Sequence, residues 1–147
     1  MRVLFNDFKK KYKRDKRNVD MAIKRTLDSG WFILGKEVAE FENQFASYIG
    51  AKHAIGVGNG LEALQIALIA LGVGKGDEVI TTAHSAVATV LAIEAVGATP
   101  VFVDIDDFYH NDCQKIKKQI TKKTKGIIPV HIYGQAANME KICDIAS

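Results

Sequence analysis

The sequence predicts an α/β fold in which a mostly parallel sheet is flanked by helices. Short apolar runs alternate with longer helical patterns, which is typical of a parallel sheet whose strands are joined by helices. The 147 residues are 48% hydrophobic and 25% charged, a composition that suits an ordered domain. No repeat or low-complexity tract interrupts the pattern, and it stops inside a predicted helix. We therefore expect residues 1–147 to form a single domain that is incomplete at its C-terminal end.

Residues 1–50 are predicted to be helical. The first helix shows apolar residues at helical spacing, namely Val19, Ile23 and Leu27, and it is expected to end at Gly30. The second helix spans about 38–49 and closes at Gly50, in the position that a left-handed C-cap requires. An apolar link, 30–35, joins the two helices.

Residues 51–147 are predicted to form the α/β part. We expect strands at 53–57, 78–81, 101–105 and 126–132. Helices are expected between them, at about 61–71, 87–96 and 112–120, and a further helix is expected from residue 136 onward. Gly72 and Gly97 follow the first two of these helices, where glycine commonly ends a helix.

Positive charge is concentrated near the N-terminus. Seven lysine and arginine residues lie within 9–17, and the whole chain has a formal net charge of +3. A nucleic-acid-binding arm would fit this composition electrostatically, but a basic run that leads into a helical pattern is more often a solvated helix face. We predict no nucleic-acid partner.

The cysteine pattern indicates neither a metal site nor a disulfide framework. Cys113 and Cys143 lie far apart, without a CxxC pair or a histidine at ligand spacing, so they are expected to be reduced thiols. No stretch approaches the roughly 20 apolar residues of a membrane span, and the N-terminus lacks the apolar run of a signal peptide. We expect a cytoplasmic protein with no metal and no membrane association.

The strongest local motif is the glycine-rich turn at 56–63, GVGNGLEA. It lies between a predicted strand and a predicted helix, where free amide groups and the helix dipole favour anions such as phosphate. The same letters fit a dinucleotide fingerprint, which also requires an acidic residue at the end of the second strand. That strand ends in Thr81-Thr82-Ala83, which weakens a nicotinamide oxidoreductase. A phosphate- or nucleotide-binding module without catalysis, and a turn that only connects two elements, remain alternatives.

Four spaced stretches resemble the DegT/DnrJ/EryC1/StrS family of pyridoxal phosphate (PLP) dependent aminotransferases. They read SGWFILGKEVAEFENQFASYIGAKHAIGVGNGLEAL, GDEVITTAHSAVAT, GATPVFVDID and TKKTKGIIPVHIYGQAANMEKI. The resemblance implies the N-terminal part of the large domain of a fold-type I PLP-dependent transferase, with residues 51–147 as the first part of the PLP-binding domain.

The resemblance also implies roles for individual residues. The turn Asn59-Gly60-Leu61 would receive the PLP phosphate through its backbone amides, although family members often carry Thr or Ser where this chain has Leu61. Ala86 occupies the register position of an aromatic ring that lies on the cofactor in the family. His84 is the nearest residue that could cover the ring instead, and a polar loop residue is the alternative interpretation for it.

Further residues are weaker candidates. The resemblance places Tyr133 and Gln135 beside the cofactor, at the carboxyl edge of the sheet where ligands of open α/β sheets bind. Trp31 and Phe32 could line a substrate pocket, but an apolar link between helices is more often part of a core.

Several parts of the family's machinery are expected beyond Ser147. The aspartate that pairs with the pyridinium nitrogen and the lysine that holds PLP would both follow this chain, so no catalytic residue is assigned here and the chain alone is expected to be inactive. The resemblance implies glutamate and a nucleotide-linked keto sugar as substrates, and a homodimer for the full-length protein. The Asn59-Gly60-Leu61 variant points toward members that aminate 3-keto sugars.

Overall fold

A computed structural model of the chain describes residues 5–147 and divides into two compact units. One unit extends to Gly56, and the other is Val57–Ser147. The first four residues of the predicted N-terminal helical segment lie outside the described residues. None of the helices in 5–147 is both long and apolar enough to cross a membrane.

The first unit consists of two helices, α1 (Phe8–Ser29) and α2 (Lys36–Ile49). Asp7 begins α1, because its carboxylate accepts a hydrogen bond from the Lys10 amide at 2.9 Å, as an N-cap residue should. Both helices end at glycines in the left-handed region, with φ of 64° at Gly30 and 75° at Gly50. The predicted glycine stops are therefore confirmed.

The surface of α1 is exposed along its whole length, and no residue of this helix is buried. The basic residues of 9–17 all lie on that surface, which confirms the predicted solvated face. Trp31 and Phe32, in the link after α1, are 62% and 63% exposed. The interpretation that these two residues pack into a core is therefore wrong for this unit, because the link that carries them runs over the surface of the unit.

The second unit contains a three-stranded parallel sheet. Its strands are β1 (Glu78–Thr82), β2 (Thr99–Val103) and β3 (Thr124–Ile127), in the order β2-β1-β3. Pro100 lies inside β2, where an edge strand tolerates a residue without an N–H donor. The predicted fold class, a mostly parallel sheet with flanking helices, is confirmed.

Four helices cover the two faces of this sheet, namely α3 (Gly60–Ala70), α4 (Val87–Ala95), α5 (Cys113–Gln119) and α6 (Met139–Ala146). Neighbouring residues of a strand point to opposite faces, so Val79 joins the core formed with α3 and α4, whereas Ile80 joins the core formed with α5 and α6. Both side chains are completely buried. Three layers, helix on sheet on helix, follow from this alternation.

One predicted strand is absent, one ends early, and the strand predicted at 101–105 lies two residues earlier, at Thr99–Val103. Residues 53–57 form no strand, because a strand needs a hydrogen-bonded neighbour and each strand of the described sheet pairs only within β2-β1-β3. The strand predicted at 126–132 ends at Ile127. Beyond it, the Val130 amide donates to the side-chain oxygen of Asn111 at 3.0 Å instead of to a strand.

Candidate functional site

The glycine-rich turn lies at the N-terminus of α3, as the sequence predicts. Asn59 is extended, with φ −164° and ψ 173°, and its side-chain oxygen accepts a hydrogen bond from the Glu62 amide at 3.0 Å. The Glu62 carboxylate in turn accepts from the Gly58 amide at 3.0 Å. The two hydrogen bonds resemble a capping box in which the glutamate reaches the residue before the N-cap, and they fix the first turn of the helix.

Three consecutive backbone donors remain at this turn, because the Asn59 amide donates no hydrogen bond within 5–147 and the next two amides do not either. The hydrogen bonds found within 5–147 include none donated by the amides of Gly60 or Leu61, which occupy the first two helical positions and therefore have no acceptor within the helix. Apart from its chain neighbours and the adjoining helix backbone, no heavy atom of the described residues lies within 4 Å of the position that a Cβ on Gly60 would take. The turn thus offers the N–H groups of 59–61, the positive end of a helix dipole and open space beside Gly60, which together fit a phosphate group.

Gly58 contributes in a different way. A Cβ on this residue would lie 2.7 Å from the Glu62 carboxylate, so the glycine allows the carboxylate to reach the backbone. The negative charge of Glu62 is thereby held on the Gly58 amide, and the amides of Gly60 and Leu61 stay available to a ligand.

The carboxyl edge of the sheet carries an aromatic cluster. His84 follows β1, Tyr109 follows β2 and Tyr133 follows β3, so that each parallel strand delivers one ring to the same edge. The ring centroids are 5.8 Å apart for His84 and Tyr109, 5.8 Å for His84 and Tyr133, and 5.9 Å for the two tyrosines. The Tyr133 hydroxyl lies 3.2 Å from Nε2 of His84, within hydrogen-bonding distance.

The structure therefore brings His84 and Tyr133 together, as their position at one sheet edge suggested. Tyr109 was missed, although the same reasoning would have found it, because it comes shortly after the predicted strand at 101–105. No hydrogen bond or ring contact described for 5–147 joins the turn at 59–61 to His84. The helices that begin beside these two places, α3 and α4, pack against each other.

Ala86 and Gln135 have modest local roles in the structure. Ala86 is exposed and directly precedes the first residue of α4. Its methyl side chain supplies no aromatic ring. Gln135 is exposed, and its backbone oxygen accepts a hydrogen bond from Nε2 of the buried His110 at 3.2 Å. The placement of both residues as cofactor or substrate contacts remains a prediction.

Trp31 lines a surface cavity of about 650 Å³ within the first unit, together with residues of α1 and α2. The Arg25 guanidinium forms a two-pronged ion pair with Glu37 at this cavity, with both N–O distances at 3.0 Å. Hydrogen bonding to Arg25 and its positive charge hold the pKa of Glu37 below its ordinary value. Phe32 is not among the lining residues, so only one of the two aromatic candidates borders this cavity.

Comparison with known proteins gives relatives along almost the whole chain. The dTDP-3-amino-3,6-dideoxy-alpha-D-galactopyranose transaminase of Aneurinibacillus thermoaerophilus is 48% identical over 97% of this chain and 39% of the relative. The crystal structure of S. venezuelae DesV in complex with a ketimine intermediate superposes with a TM-score of 0.96, at 44% identity, over 99% of this chain and 39% of that one. The crystal structure of Bacillus subtilis NtdA with bound cofactor PMP superposes with a TM-score of 0.88, at 36% identity, over 90% and 31%.

The chain thus spans about two fifths of the length of the curated relatives that it matches. The model of one aminotransferase family, described by the names DegT, DnrJ, EryC1 and StrS, matches residues 13–147. This match covers most of the first unit and all of the second. The chain therefore belongs to the DegT/DnrJ/EryC1/StrS aminotransferase family.

Proposed function

We propose that this chain forms the phosphate-binding part of a PLP site in an aminotransferase that moves an amino group from glutamate to a nucleotide-linked keto sugar. The observation that carries the proposal is the pair of free amides at Gly60 and Leu61, in open space at the start of α3. Family membership and the PMP bound in the similar NtdA structure support a pyridoxal cofactor as the source of the phosphate.

Different residues would bind the phosphate and the ring of the cofactor. Gly60 and Leu61 would donate hydrogen bonds to the phosphate, while the Asn59 side chain holds the turn in place. His84 would lie against the cofactor ring in the place of the aromatic side chain that Ala86 lacks. When bound, PLP supplies an electron sink for the transfer of the amino group.

The substrate class rests on the relatives. The A. thermoaerophilus relative is named for a dTDP-linked 3-amino sugar, which supports amination at C3 of a nucleotide-linked 3-keto sugar. We also propose that the complete protein acts as a cytoplasmic homodimer, which sedimentation of the purified protein would test.

A ligand titration tests the cofactor part of the proposal. Amide NMR spectra of the 15N-labelled chain are recorded with PLP, with pyridoxal as a control that lacks the phosphate, and with NAD. We expect PLP to shift the Gly60 and Leu61 amides, and pyridoxal to leave them unchanged. Stronger shifts with NAD than with PLP would favour a nucleotide-binding module instead.

A chimaera tests the activity. The chain covers 39% of DesV, so it can replace the matching N-terminal part of that enzyme. We expect the purified chimaera to aminate a nucleotide-linked 3-keto sugar with glutamate as the donor. A folded chimaera that binds PLP but aminates no keto sugar would contradict the proposed activity while leaving the cofactor site intact.

A further inference from the structure

The aromatic cluster at the carboxyl edge contains two residues in an unfavourable backbone conformation. Tyr109 has φ of 67° and Tyr133 has φ of 56°, in the left-handed region that bulky residues rarely adopt. Such a conformation is strained for a residue with a large side chain. The two rings are 52% and 77% exposed, so burial in a core does not compensate for this strain. Strain that persists at an exposed site points to a role in binding.

The loop after β2 holds Tyr109 in this conformation. The Asp106 carboxylate accepts hydrogen bonds from the amides of Phe108 at 2.9 Å and His110 at 3.0 Å. The Tyr109 amide itself donates to the Asp106 backbone oxygen at 3.0 Å. One aspartate therefore fixes both neighbours of Tyr109, and the tyrosine has little freedom to relax.

The loops after β2 and β3 are also tied to each other. His110 and Asn111 are 4% and 1% exposed. His110 donates to the Gln135 backbone oxygen at 3.2 Å, and the Asn111 side-chain oxygen accepts from the Val130 amide at 3.0 Å. These two buried side chains directly follow Tyr109, so the loop that carries Tyr109 is fastened to the loop that carries Tyr133.

The two tyrosines lie against His84 and against each other. Tyr133 reaches Nε2 of His84 with its hydroxyl at 3.2 Å, and Tyr109 meets the Tyr133 ring edge-on, at an interplanar angle of 88°. Edge-to-face pairs at this separation are favourable. A hydroxyl that donates to Nε2 leaves the imidazole proton on Nδ1, because the hydrogen bond at one ring nitrogen sets the state of the other.

We propose that Tyr109 and Tyr133 are positioning residues that hold the His84 imidazole in a fixed plane, with Nε2 accepting from the Tyr133 hydroxyl, ready to cover a flat aromatic ligand. The cluster would replace the single ring that is absent at Ala86. The identity of the flat ligand as PLP rests on the proposed function, whereas the positioning of His84 does not.

Imidazole NMR of the full 15N-labelled chain tests the positioning, at a pH where histidine is neutral. We expect His84 to be mainly in the Nδ1–H form in the wild type, and the Nε2–H form to increase in Tyr133→Phe. Tyr109→Leu should increase it as well, because the Tyr133 ring loses its support. Tyr109→Phe keeps the ring and should match the wild type, as should Tyr48→Leu on the exposed surface of α2.

Asp106→Ala is a second route to the same result, since it keeps both rings but releases the Tyr109 backbone. It should increase the Nε2–H form as Tyr109→Leu does, so the conclusion does not depend on one variant remaining folded. A wild type that is mainly in the Nε2–H form, or folded Tyr109→Leu and Asp106→Ala variants that match the wild type, would overturn the positioning role.

A binding measurement separates this inference from the proposed function. Tyr109→Leu should bind PLP several-fold more weakly than Tyr109→Phe, while inorganic phosphate should shift the Gly60 amide equally in both variants. If His84 behaves as expected in the imidazole spectra but PLP never shifts Gly60, the proposed function fails and the positioning stands. If PLP shifts Gly60 but both Tyr109 variants bind it equally, the role of the cluster in covering the cofactor fails.

Discussion

Replacing Gly60 by proline separates the role of its amide from the role of its backbone conformation. Gly60 is the first residue of α3, and its amide donates no hydrogen bond within the described residues. Proline is well tolerated at this helical position because the missing N–H has no helical partner. The preceding residue, Asn59, has φ −164° and ψ 173°, in the extended region that a residue before proline favours.

The expected effects on stability and on binding have opposite signs. A proline that fits without strain stabilises a protein by about 0.4–1 kcal/mol, because it restricts the unfolded chain. The same change removes a donor to a charged phosphate, and a hydrogen bond to a charged group contributes about 1.5–3 kcal/mol. Gly60→Pro should therefore unfold at higher urea concentration, while its affinity for PLP should fall roughly tenfold or more.

Gly60→Ala is the matched control, because it keeps the amide and its Cβ enters open space. It should stabilise the chain by a similar amount and keep more of the affinity for PLP than the proline variant. Urea unfolding followed by circular dichroism gives the stability, and titration followed by 31P NMR of PLP gives the affinity. A Gly60→Pro variant that is as stable as expected and binds PLP as well as the alanine variant would refute the role of the amide.

Three further changes test the fold around the site. Asn59→Ala removes the cap of α3 and should lower the free energy of unfolding by about 1 kcal/mol, whereas Asn59→Ser should retain most of the stability of the wild type. If Asn59→Ala and the wild type unfolded at the same urea concentration, the capping geometry would be contradicted. Ile93→Ala removes most of a side chain that is 0% exposed and should lower the free energy of unfolding by about 2–5 kcal/mol in the same assay. Val87→Ala, on the exposed face of α4, should lower it by less than about 0.5 kcal/mol. Arg25→Met should raise the pKa of Glu37 toward its ordinary value, as measured by 13C NMR of the carboxyl group. Because Arg25 lowers that pKa in the folded state, the ion pair stabilises above the unfolded-state pKa of Glu37, and its contribution disappears as the pH falls through the folded-state pKa. A carboxyl titration unchanged in Arg25→Met would count against the pair.

Local signals in the sequence were sufficient to predict most helices and the position of the glycine-rich turn at 56–63. Glycines such as Gly50 mark helix ends because only a left-handed residue closes them well, and Asn59 followed by Glu62 is a capping signal that depends on neighbouring residues alone. These features require no knowledge of distant contacts. The structure accordingly places them where the pattern indicates.

Features that depend on distant partners could not be predicted in the same way. Residues 53–57 have the apolar composition of a strand, but composition does not reveal whether a neighbouring strand is available. The strand at 126–132 is shorter than predicted because Asn111, far away in sequence, takes the Val130 amide. The sequence indicates that Tyr109 follows a strand, but its contact with His84 also requires β1 and β2 to be neighbours, which the sequence pattern alone leaves open.

The most direct test of the proposed cofactor site is a crystal structure of the chain grown with PLP. We predict that the phosphate lies within hydrogen-bonding distance of the Gly60 and Leu61 amides, and that the pyridine ring lies against the His84 imidazole. A phosphate held by the lysines of α1, or a turn at 59–61 that stays free at saturating PLP, would contradict the account.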